Sequence, residues 1–120
     1  PRLVVADREN HRLQLFDLDG GLLEVVEGML RRPCMAAQRG DELVVADLAG
    51  RITILGADHR VLAQLGDQPD PAKRANHGVP REQWAAGEFL APHAVAWDED
   101  GGLYVMDWLA LGRVTRLQRL

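Results

Sequence analysis

The chain has 120 residues, 47% of them hydrophobic, and a net charge of −4 at neutral pH. That is one domain's worth of globular sequence, with no basic footprint for a nucleic acid. No apolar run approaches the ~20 residues of a membrane-spanning helix, so neither nucleic acid nor membrane is an expected partner.

In chain order, the first feature is Leu3–Phe16, LVVADRENHRLQLF. An alternating apolar strand ends in Asp7, a short polar loop follows, and Arg12 opens a second alternating strand. Asp17–Gly21 carries the Asp-Gly-Gly chemistry of a hairpin turn. Leu22–Val26 is a third, more polar strand. After Arg31-Arg32-Pro33, Cys34–Ala37 is a short strand of small residues. Leu43–Ile54, LVVADLAGRITI, then repeats the opening pattern with Asp47 and Arg51, and Val61–Leu65 completes the group.

Asp67–Gly87 breaks the rhythm with Pro69, Pro71 and Pro80. Within it Pro80–Ala86 has the Pro-first, Gly-after pattern of a short helix. The strands resume at Pro92-His93-Ala94-Val95-Ala96, which matches Pro33-Cys34-Met35-Ala36-Ala37 in position. Leu103–Thr115, LYVMDWLALGRVT, is the third copy, with Asp107 and Arg113.

A period of about 40 residues in short strands is the pattern of a propeller or solenoid. The fold class expected is all-β, in four-stranded propeller blades. Residues 1–28 form a blade lacking its inner strand and 33–66 a full blade. Residues 67–91 are an insertion loop, and 92–120 a blade lacking its outer strand. A closed propeller needs at least four blades. The chain is therefore expected to be the C-terminal half of a larger ring, with sequence upstream of Pro1, or to self-associate. Antiparallel alternation puts Arg8–His11, Glu27–Pro33, Leu48–Gly50, the insertion and Trp108–Gly112 on one face, with His93 beside the centre. A functional site is expected on that face.

The motif Val5–Phe16, VADRENHRLQLF, resembles the NHL repeat, V-A-D-x-x-N-x-R-[IVL]-x-x-F, at every consensus position. The ADREN loop and the Pro-His strand start also resemble peptidylamidoglycolate lyase and its bacterial relatives. That family is a six-bladed, zinc-dependent propeller that cleaves peptidyl-α-hydroxyglycine to a peptide amide and glyoxylate. The resemblance implies that Arg8 binds the substrate and that His93 is one zinc ligand. It places the other zinc ligands and a catalytic Tyr outside these 120 residues. It also implies a secreted or periplasmic location, which the single Cys34 does not decide. Where the family has a calcium-holding Asp this chain has Ala94, which puts calcium in doubt.

The chemistry of the residues leaves alternatives. His93 reads equally as a metal ligand or as a half-buried histidine bonded to backbone. Arg8 reads as a fork for a carboxylate or as an ion pair with Glu9. Asp7, Asp47 and Asp107 recur at one repeat position and so read as structural, accepting loop N–H groups and the following Arg. Cys34, at a small-residue position, reads as buried and inert. Two functions remain. One is a fragment of a lyase-like propeller acting on a peptide or small molecule at its channel. The other is a non-catalytic NHL module whose loop face binds a protein or other ligand.

Overall fold

The structure, a computed structural model, describes residues 1–120 throughout. It is all-β, with three antiparallel sheets formed one after another along the chain. The first contains β1 (Leu3–Asp7), β2 (Arg12–Phe16) and β3 (Leu22–Val26). The second contains β4 (Pro33–Arg39), β5 (Glu42–Asp47), β6 (Arg51–Leu55) and β7 (Val61–Leu65). The third contains β8 (Pro92–Trp97), β9 (Leu103–Asp107) and β10 (Arg113–Leu117). Neighbours in sequence are neighbours in each sheet, and no sheet closes on itself.

Period-2 patterning produces this arrangement. In β9, Leu103, Val105 and Asp107 are buried while Tyr104 and Met106 are exposed, as alternating Cβ directions require. The register repeats as well: Asp7 pairs with Arg12, Asp47 with Arg51 and Asp107 with Arg113. The first hairpin turn is made as its sequence predicts. Gly20 takes φ +88°, and Asp17 Oδ1 accepts the N–H groups of Asp19 and Gly21.

The middle sheet is covered on both sides. Leu43, Val45 and Leu55 pack with Leu13, Leu15 and Val26 of the first sheet. Val44, Ala46, Ile52 and Ile54 pack with Val95, Leu103 and Val105 of the third, together with Phe89. β4 lies next to both β1 and β8, so the first strands of the second and third sheets stand side by side.

One local expectation fails. Residues 80–86 do not form a helix; there is a single 3-10 turn at Arg81–Gln83. Its three side chains are exposed, so a helix would have no apolar face to bury. Trp84 instead extends (φ −77°, ψ 128°) and donates from Nε1 to the Val79 carbonyl at 2.9 Å. Part of the insertion is packed even so. Val79, Leu90 and Ala91 form a small core with Leu48 and Leu109 over the loop ends of β5 and β9.

Candidate functional site: a polar hollow on the loop face

The three repeated aspartates build the site by holding its backbone. Asp107 Oδ1 accepts the N–H groups of Leu90 at 3.0 Å and Ala91 at 2.7 Å, just before Pro92-His93. Asp47 Oδ1 does the same for Arg31 at 2.9 Å and Arg32 at 3.0 Å, just before Pro33-Cys34. Both carboxylates are fully buried, and each is faced by its Arg (Arg113, Arg51). Buried charge of this kind is stable only when fully hydrogen-bonded. His93 and Cys34 thus begin equivalent strands and are aimed by equivalent carboxylates. Asp7, more exposed, braces the Arg8 loop by accepting from Asn10 and Arg12, each at 2.8 Å. The structural reading of the three aspartates holds.

Arg8 and His93, distant in sequence, line one open hollow of about 390 Å³ together with Ala6, Asp7, Glu9 and Cys34. Arg8 Nε donates to Glu9 Oε1 at 2.8 Å, and Arg32 reaches the same oxygen at 2.7 Å. These two cations, Arg32 foremost, hold the Glu9 carboxyl below its ordinary value. The rest of the Arg8 guanidinium lies beside the Cys34 sulfur and makes no further hydrogen bond to a protein oxygen or nitrogen. Cys34 and then Glu9 push the Arg8 value up, so it is a permanent cation. Burial pushes the Cys34 thiol up and outweighs the opposing pull of Arg8, so at neutral pH it is a neutral thiol.

His93 is half-buried, and its ring nitrogens are free of protein hydrogen bonds. Its ring stands edge-on to Trp108, 5.2 Å between centroids at 70°. Trp108 in turn lies 4.1 Å from the ring of His77, whose Nδ1–H donates to the Trp108 carbonyl at 2.7 Å. His77 of the insertion, Trp108 of the β9–β10 loop and His93 of β8 therefore form a row of rings that ends at the hollow. His59 lies elsewhere, bonded to Glu24 at 2.9 Å, and Trp97 packs in the core with Nε1 bonded to the Ala37 carbonyl at 3.2 Å.

The donors present do not by themselves fit a zinc ion. No group of three or more His, Cys, Asp or Glu is arranged to hold a metal. In the hollow only His93 and Cys34 are uncommitted; Asp7 is taken by Arg12, Asn10 and Gln14, and Glu9 by Arg8 and Arg32. A catalytic zinc takes three protein ligands and an open position. Ala94 supplies no side-chain oxygen for calcium.

Sequence reasoning placed Arg8 and His93 on one face, and the structure brings them into one hollow. It missed Cys34, which is half-buried rather than fully buried and lines the hollow with Arg8. The signal was present: Pro33-Cys34 and Pro92-His93 are repeat equivalents, so one pointing at the centre implies the other. The ring row could not be anticipated, because its far ring, His77, comes from the insertion, which has no counterpart in the other repeats. Chain order, sheets and hollow together define an all-β chain of repeated antiparallel sheets with a polar hollow lined by both signs of charge. No protein-family model matches the chain, and no curated protein matches it.

Proposed function

We propose that the chain is a run of NHL-type propeller blades, part of a six-bladed ring, and that the Arg8–His93 hollow binds the carboxylate of a peptide or small molecule. The observation that carries this is Arg8 itself. Its Nε is anchored on Glu9, and its guanidinium, which lines the open polar hollow, makes no other hydrogen bond to a protein oxygen or nitrogen. A planar, permanently charged fork held on one side is suited to take a carboxylate on the other. His93, with no protein hydrogen bond, offers the second polar contact.

The likeness to peptidylamidoglycolate lyase supplies the ligand class, a peptide ending in a glycine-derived carboxylate. The lyase reaction would draw its remaining zinc ligands and its catalytic Tyr from outside these residues, and no step through zinc is assigned to this chain. A non-catalytic module is the second reading. It is favoured by Trp108 and Leu111, 49% and 72% exposed on the β9–β10 loop, which suit a protein partner.

The reading is tested by titrating an N-acylglycine peptide into the chain and into its Arg8→Ala and Arg8→Lys variants. Loss of binding in Arg8→Ala with partial retention in Arg8→Lys is expected. Undiminished binding in Arg8→Ala refutes the assignment.

A further inference from the structure

The two outer sheets each leave one face uncovered, and the repeat shows what those faces fit. On the first sheet the uncovered face carries Leu3, Val5 and Phe16, with Leu3 and Val5 at 52% and 43% exposure. By repeat position these correspond to Leu43, Val45 and Leu55, which pack back onto the first sheet. They also correspond to Leu103, Val105 and Leu117, which pack back onto the second. On the third sheet the uncovered face carries Tyr104, Met106 and Val114, all exposed. Their counterparts Val44, Ala46 and Ile52 pack forward onto the third sheet. The two free faces are thus the two unmatched halves of one contact that the chain already makes twice.

We infer that two copies of this chain associate head to tail, each laying Tyr104, Met106 and Val114 on Leu3, Val5 and Phe16 of the other. Continuity with the two internal contacts sets the register. A heterologous contact made twice closes a pair, whereas one that fails to close grows into filaments. One position departs from the pattern: Arg116 stands where Ile54 does. Asp98 holds its head at 2.8 Å, and its guanidinium lies 5.8 Å from the Tyr104 ring centroid, so its stem runs along the face. The inference rests on repeat register alone and is independent of any ligand.

Light scattering over a dilution series tests it, with Val5→Glu and Met106→Glu as variants. Both side chains are exposed in the single chain, so each variant folds, and a circular-dichroism melt verifies this. The expected mass is twice 13.3 kDa for the unaltered chain. Each variant alone shifts toward the single-chain mass, and mixing the two restores a paired species through the one contact left intact. A 13.3 kDa mass at every concentration overturns the inference and leaves the faces to further sheets of a longer chain. Dissociation by only one of the two variants also overturns it, because a face pairing with its own kind needs no second face.

Discussion

Arg113 closes on Asp107 through Nε at 2.9 Å and Nη2 at 2.7 Å, while the other oxygen of that carboxylate fixes the two residues ahead of Pro92. One buried ion pair therefore ties the β9–β10 hairpin to the strand that presents His93. Removing the carboxylate leaves the mostly buried Arg113 charge and two backbone N–H groups unpaired. Asp107→Ala is predicted to lower stability by about 3–5 kcal/mol, the usual cost of breaking one side of a buried pair. Urea unfolding measures this. Asp7→Ala, at a half-buried copy of the same position, costs far less.

Gly66 gives a second prediction. Its φ of +62° disfavours any side chain, and a Cβ there would collide with the ring of Phe89, a core residue. Gly66→Ala combines left-handed backbone strain of about 1–2 kcal/mol with overpacking of about 1–3 kcal/mol. A fall in melting temperature checks it. Gly28, with φ +87° and open space around it, bears only the backbone part of that cost.

Acid sensitivity follows from the carboxylates. Arg12, then Asn10, hold Asp7 below 3.8, and Arg116 does the same for Asp98. At Asp67 burial pulls upward, but the Arg31 pair and further cations outweigh it and leave the value lowered. A folded value below the unfolded one gives stability that is present above the unfolded value and lost as pH falls through the folded one. Asp47 has the opposite sign, because burial outweighs its hydrogen bonds and raises its value. Its stability term is present below the unfolded value and lost as pH rises through the folded one. With three lowered aspartates and Glu9 against one raised, urea midpoints are predicted to fall as pH steps down through 3.8. Asp98→Asn flattens that fall.

Cys34 is predicted to be a slow nucleophile. Its thiol sits above the ordinary 9.0, so alkylation by iodoacetamide at neutral pH runs slower than for a free thiol. Because Arg8 is the chief influence pulling the other way, Arg8→Ala slows alkylation further. Alkylation kinetics of the two proteins measure both effects.

Much of the fold was legible because each repeat declares itself twice, once by alternation and once by the Asp–Arg pair that brackets a loop. Those signals are local, and the sheets follow them closely, with β4 extended to Pro33–Arg39 and the register slipping at Leu15/Phe16, Pro33/Met35, Ile54/Leu55 and Pro92/Ala94. The helix expected over 80–86 failed because cap residues mark where a helix starts and stops but do not supply a buried face. Trp84 instead hydrogen-bonds the Val79 carbonyl from an extended backbone. Of the site, Arg8 and His93 were legible through topology. The Cys34–Arg8 contact and the His77–Trp108–His93 row depend on how the insertion and the β4 start settle in three dimensions.

We propose above all that the Arg8–His93 hollow recognises a carboxylate. The most direct measurement is calorimetric titration of the unaltered chain with an N-acylglycine peptide and with the same peptide as its C-terminal amide. A charge-assisted fork predicts that the free acid binds at least about tenfold more tightly, roughly 1.4 kcal/mol. Equal affinity for acid and amide would contradict the account.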